Sequence, residues 1–177
     1  MRQEERRAKT RSALVRAAGM AFAERGYDGA SVDAIAASVG LSKGAVYAHF
    51  PSKLDLHLAV LDVLVEQAEW RLERVSAAIR AGADALDASR AYLGLGGDRQ
   101  HAALFSELWR AAAIEPEIRG VVERLVAARL GTISRAAIDR GLTPAESLEF
   151  AESVARFIDA GMLYRRVDDA AEHFAAR

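Results

Sequence analysis

Apolar residues recur at three- and four-residue spacing along most of the chain, and no stretch of useful length alternates at the period of a strand. The pattern predicts helices. The first spans about residues 4–25, with Leu14, Ala18, Ala21 and Phe22 inward and Gly26 as its stop. Ser31 then stands before Val32, Ile35, Ala36 and Val39, the stripe of a second, short helix. The Ser31 hydroxyl is placed to accept a bond from an unpaired first-turn amide. Gly40 ends that helix, where a left-handed backbone costs glycine little. Ser42 caps a third helix over about 43–49, whose inward residue is Val46, backed by Phe50. Lys43, Ala45, Tyr47, Ala48 and His49 are left for its outer side. So short a helix with one apolar anchor is unstable alone. Its neighbours must clamp it.

Pro51 and Ser52 break the chain, and Ser52 with Asp55 makes a short-armed capping box for a fourth helix reaching about residue 80. Its main stripe is Leu54, Leu58, Leu61, Val65, Ala68, Leu72, Val75 and Ile79, while Val63 and Trp70 lie on the opposite face. A helix apolar on two faces is expected between two packed layers. Further helices are predicted over about 84–93, 99–113, 116–140 and 144–164, with a short amphipathic tail over 167–176. Pro116 suits a first helical position. Gly141 stops one helix, and Thr143, Pro144 and Glu146 combine a cap, a first-turn proline and a capping-box acid to start the next. The fold class is therefore all-α.

Composition narrows the function. Cysteine is absent, which excludes disulfides and thiolate metal sites and is in keeping with a reducing cytoplasm. The charged opening MRQEERRAKTR has no apolar core behind it, so no secretory signal is expected, and no apolar run approaches a membrane span. Four scattered histidines, no H-E-x-x-H and no Gly-rich phosphate loop argue against an enzyme. No catalytic residue, metal or cofactor is assigned. The net charge of −1 conceals an asymmetry. Residues 1–53 hold nine Lys or Arg against five Asp or Glu, a net +4, and the remainder holds fifteen against twenty, a net −5. A basic head on an acidic body orients toward a polyanion. With two short helices about a glycine turn, the head suits entry into a DNA major groove.

Residues 10–57, from TRSALVRAAGMAFAERGYDGASVDAIAASVG to LSKGAVYAHFPSKLDL, resemble the N-terminal domain of the TetR family of bacterial transcriptional regulators. AFAERGY closes the first helix, the helix-turn-helix follows at once, and YAHFPSK opens the fourth helix. Two positions depart from the family pattern: Ala48 replaces a frequent aromatic or other large residue, and Ala30 a common threonine. ELWRAAAIEPEIR resembles a motif in the C-terminal domains of several TetR subgroups and identifies no ligand. The resemblance implies a helix-turn-helix domain over 1–52 and a helical effector-binding and dimerisation domain over 53–177. Its function would be a repressor released from a double-stranded DNA operator by a small molecule. The alternative is a DNA-binding or protein-docking factor of the same fold without small-molecule regulation.

The resemblance and the outer faces together select residues. Lys43 is placed for a guanine edge or a phosphate, with Ser42, Gly44 and Ala45 beside it, Ala45 within reach of a thymine methyl. The family motif assigns Tyr47 and His49 to phosphates, although His49 serves equally well as a residue bonding a backbone carbonyl. Thr10, Ser31 and Lys53 are further phosphate candidates. Arg2, Arg6, Arg7, Lys9 and Arg11 form either a basic arm or an exposed charged tail. For an effector pocket the candidates are Trp70, Tyr92, His101, Phe105, Trp109 and Met162, each also suited to plain core, with Glu107 and Arg110 as polar anchors or wet surface. The helix over 144–164 carries two stripes. Leu148, Ala151, Ala155, Ile158 and Met162 suit the protomer's own core. Phe150, Val154, Phe157, Gly161 and Tyr164 suit either the same core or a homodimer interface of the kind the resemblance implies.

Overall fold

A computed structural model describes residues 2–94 and 99–175, the side chains of 2, 99 and 163–175 excepted. The described residues form eight helices and no strand: α1 (Arg2–Gly29), α2 (Val32–Ser38), α3 (Lys43–Tyr47), α4 (Lys53–Arg80), α5 (Ala85–Leu93), α6 (Arg99–Ala112), α7 (Pro116–Asp139) and α8 (Pro144–Ala175). Two compact units, Met1–Leu64 and Val65–Arg177, divide inside α4 rather than at its start. The first turns of α4 are integral to the first unit because they supply its core: Leu56, His57, Val60 and Leu61 are all buried. His57 lies against Phe22 and Tyr27 of α1, with ring centroids 4.7 and 4.8 Å away.

In the first unit Leu14, Ala18 and Phe22 of α1 are fully buried, with Ile35, Ala36, Val46 and Phe50 from the following segments. Gly26 kinks α1 at φ 70 and ψ 171, and a last turn runs to Gly29 beyond the expected stop. Ser31 does occupy the N-cap of α2 with extended backbone angles, but its hydroxyl makes no capping bond. The cause is exposure: Ser31 faces solvent, so water can satisfy the first-turn amides. Ser42 does cap α3, its hydroxyl accepting from the Ala45 amide at 3.2 Å. Helix α3 stops two residues earlier than its apolar spacing suggests. After Ala48 the backbone tightens, and the His49 amide donates to the Val46 carbonyl at 2.9 Å.

The capping box at the start of α4 is short-armed. Ser52 accepts from the Asp55 amide at 3.0 Å, but the Asp55 carboxylate reaches only the Ser52 hydroxyl, at 2.6 Å. The buried face also differs from the expected stripe: Leu54 and Leu58 are half-buried, while Leu56, Ala59, Val60 and Leu64 are inside. From Ala68 to Ile79 the stripe runs as its period predicts, with Leu72, Val75 and Ile79 buried. Val63 and Trp70 are exposed, with the Arg74 guanidinium 5.9 Å from the Trp70 ring centroid.

The second unit packs α8 against α5, α6 and α7. Its core includes Leu108, Ile118, Ile133, Val154 and Ile158. Asp84 caps α5 through the Asp87 amide at 2.8 Å. Gly141 takes φ 107 to turn between α7 and α8, a conformation that side-chain-bearing residues rarely adopt. Thr143 and Glu146 form a reciprocal capping box: the Thr143 amide donates to Glu146 at 2.9 Å, and the Glu146 amide to the Thr143 hydroxyl at 3.4 Å. Helix α8 then continues without a break through residues 167–175 of the stretch expected as a separate tail, whose last residue lies outside the described residues. The buried Arg129 of α7 donates to both carboxylate oxygens of Asp159 on α8, at 2.7 and 3.1 Å.

Candidate nucleic-acid interface

Helix α3 is five residues long, and only Val46, 1% exposed, turns into the core. Phe50 follows it inward, and the Arg11 guanidinium lies 4.9 Å from the Phe50 ring centroid. With its inner side so anchored, α3 leaves Lys43, Gly44, Tyr47 and Ala48 exposed together with Ser42, while Ala45 and His49 are half-buried. Lys43 and Tyr47 are four residues apart and share one side of the helix. The geometry therefore offers a narrow, exposed edge that carries an ammonium group and a phenol.

The Lys43 ammonium donates to Asp33 of α2 at 2.8 Å, and both side chains are more than half exposed. The hydrogen bond to Asp33, and then its charge, raise the pKa of Lys43, which holds its proton more firmly than usual. Asp33 was not among the residues singled out from the sequence. The two lie ten positions apart on different helices, so only the folded turn brings them together.

The other candidates lie outside α3. The Lys53 ammonium lies 4.5 Å from the Tyr27 ring centroid, and Tyr27 in turn stacks on His57. Such a contact keeps the charge at the surface while fixing its stem. Thr10 is half-buried on α1 and Ser31 is exposed. The basic residues Arg6, Arg7, Lys9 and Arg11 lie within α1 rather than on an extended arm; the Arg2 side chain lies outside the described residues. The His49 ring sits 6.4 Å from that of Phe50. An open groove of about 350 Å³ lies along α1 and α2, with Arg16, Ala17, Met20, Glu24, Ala34 and Ile35 among its lining residues.

The residues considered for an effector separate into two groups. Tyr92, His101, Phe105 and Met162 are buried, whereas Trp70 and Trp109 are exposed by 52% and 44%. Size and hydrophobicity suggested that both tryptophans point inward, but each occupies the outer side of its helix. Burial pushes the Tyr92 phenol pKa up, and the Arg71 guanidinium lies 5.7 Å from its ring centroid. Glu107 and Arg110 form a two-bond ion pair with each other, at 2.6 and 2.9 Å.

The two stripes of α8 also partition differently from their period. Val154 is fully buried, and a Cβ added to Gly161 would overlap Leu93 of α5, so both face the protomer's own bundle. Phe150 is half-buried beneath the Arg140 guanidinium, 5.6 Å from its ring centroid, and Phe157 is 44% exposed. Leu148, expected in the core, is exposed. The Tyr164 side chain lies outside the described residues.

Residues 14–60, the segment that builds and clamps this edge, match the tetR family of bacterial regulatory proteins. That segment is a TetR-type N-terminal domain. Curated relatives match over the same region. The HTH-type transcriptional activator FasR of Mycolicibacterium smegmatis is 49% identical over 55 residues, 31% of this chain and 25% of that protein. The HTH-type transcriptional regulator CymR of Pseudomonas putida is 40% identical over 65 residues, 37% and 32% of the two chains. The HTH-type transcriptional repressor BepR of Brucella suis is 39% identical over 54 residues, 30% and 26%. The chain thus spans about a quarter to a third of the length of the curated relatives it matches. Among solved structures, a transcriptional regulator from Rhodococcus sp. Rha1 is 25% identical with a TM-score of 0.74, covering 91% of this chain and 86% of that one. A structure from Saccharomonospora viridis, solved in complex with choline, has 24% identity and a TM-score of 0.66 over 94% and 97% of the chains, a likeness of fold. A TetR-type domain thus heads an all-α chain whose overall fold also matches these structures. No described helix is long and apolar enough to cross a membrane.

Proposed function

We propose that this chain is a transcriptional regulator that binds a double-stranded DNA operator as a homodimer and is released by a small molecule, acting in the cytoplasm as a repressor. The observation that carries this is the exposed Lys43–Tyr47 edge on a helix anchored by Val46, within a segment matching the TetR family. Lys43 and Ala45 contact base edges, and Ser42 and Gly44 allow close approach. Tyr47, His49, Thr10, Ser31 and Lys53 hold phosphates and so set register rather than sequence. One such short edge reads few base pairs, so a two-fold pair of heads gives the specificity an operator needs. The exposed Phe157 and the half-buried Phe150, two turns apart on α8, supply the pairing surface.

The effector sits in the second unit beside the buried Tyr92, His101, Phe105 and Met162. Helix α4 carries residues of both compact units without a break, which makes it the path of coupling. Release requires that the effector bind one conformational state more tightly than the other. Curated relatives of the head include both an activator and a repressor. The test is a gel-retardation titration with Lys43→Ala and Tyr47→Ala. Both are expected to weaken operator binding with helicity and dimer mass unchanged. Unchanged titrations for both refute the groove assignment. A thermal-shift screen separates the unregulated alternative: no stabilisation by any metabolite favours a constitutive DNA-binding or protein-docking factor.

A further inference from the structure

We infer that Asp33 and Lys43 act together as a two-sided reader of one G·C base pair in each operator half-site, an assignment that rests on the DNA-binding reading above. The Lys43 ammonium has three hydrogens, and the bond to Asp33 uses one of them. Two remain for acceptors. Asp33 accepts through Oδ2 alone in this bond, which leaves Oδ1 and a further lone pair for a donor. The pair thus presents a donor and an acceptor side by side, 2.8 Å apart, on the exposed side of the α2–α3 turn. In the major groove a G·C pair presents guanine O6 and N7 as acceptors beside the cytosine N4 donor. Guanine O6 and cytosine N4 are hydrogen-bonded to each other, so they stand about 2.9 Å apart, the usual N–H···O length. The side-chain pair matches that spacing: ammonium on O6 and N7, carboxylate on N4. An A·T pair also places a donor next to an acceptor, but thymine O4 is flanked by a methyl group where guanine offers N7. The second free lysine hydrogen then has no partner.

Electrostatics point the same way. A lone carboxylate beside the recognition helix would be repelled by the duplex, and a lone lysine would bind any phosphate. Paired, the two carry no net charge and contribute little to sequence-independent affinity. Their contribution is discrimination. Asp33 is therefore a specificity-determining residue, although an acidic group on a DNA-facing surface first suggests the opposite.

The test is selection of duplexes from a random library by the full chain, in wild-type, Asp33→Ala and Asp33→Asn forms. Asp33 is exposed, so both variants should keep wild-type helicity. The wild type is expected to enrich a two-fold motif with one fixed G·C pair per half, and replacing that pair by A·T should weaken binding about tenfold or more. In both variants the preference at that pair collapses while the other positions keep theirs. An unchanged motif in both variants, with tighter binding to all duplexes, overturns the inference, since Asp33 is then only a repelling charge. So does an Asp33-sensitive position occupied by A·T. Failure of the wild type to enrich any duplex is a different outcome: it overturns the DNA-binding reading and this assignment with it.

Discussion

Val46→Ala tests whether α3 is held from within or stands by itself. The substitution removes two methyl groups from a side chain that is 1% exposed. Transfer alone is worth about 0.8 kcal/mol for each carbon removed, or about 1.6 kcal/mol. The cavity left behind raises the cost to about 2–3 kcal/mol. Five helical residues cannot absorb that loss, because an isolated helix of this length is far below the length that is stable in water. The assay is amide hydrogen exchange in the full chain, followed at Val46, Ala48 and Phe50, whose amides donate to Ser42, Gly44 and Val46 carbonyls at 3.3, 3.0 and 2.9 Å. If these bonds open through undocking of α3, their exchange should quicken by about 30- to 140-fold in the variant. The Arg140 amide, bonded to Ala136 in the other unit, should be unaffected. Ile114→Ala is the control. It removes more carbon, but from a side chain 64% exposed, and should cost less than about 0.5 kcal/mol. Exchange at α3 within about twofold of wild type would refute the clamp.

Three further outcomes are expected. Asp159→Ala leaves the buried Arg129 without its carboxylate and should destabilise by about 3 kcal/mol, whereas Arg129→Met, which removes the buried charge itself, should cost clearly less in denaturant titration; equal losses would contradict this asymmetry. If the proposed homodimer pairs through Phe157, Phe157→Glu should lower the sedimenting mass to that of a monomer with helicity retained, and an unchanged mass would remove Phe157 from the pairing surface. Tyr92 should stay unionised above pH 10.0 in an alkaline absorbance titration, because burial favours the neutral phenol. Its raised pKa makes a stability contribution that is complete below the ordinary value and lost as pH rises through the raised one. Ionisation of Tyr92 together with exposed tyrosines would refute that burial.

The helix order and the single anchor of α3 are legible in the hydropathy period, since an amphipathic helix has one side to bury. Where a helix is apolar on several sides, the period ranks no face. The start of α4 holds Leu54, Leu56, Leu58, Val60 and Leu61, and tertiary packing decides that Leu56 and Val60 go inside. The same ambiguity left Val154 and Gly161 open between core and interface on α8, and packing puts Val154 in the core and Gly161 against Leu93. Trp70 and Trp109 mislead for another reason: a large aromatic residue can occupy a surface, and hydrophobicity alone does not say otherwise. Pairs across elements are hardest to see. The buried Arg129 looks like any surface cation until Asp159, thirty residues on, is brought beside it. Asp33 and Lys43 meet only through the turn that Gly40 makes possible at φ 70.

The lopsided anchoring of α3 has an evolutionary corollary. Because stability is vested in the valine at the back of this helix, mutations at its front can accumulate without unfolding the head. Descendants of such a protein could acquire new DNA targets by drift at a few surface codons, with the scaffold inherited intact.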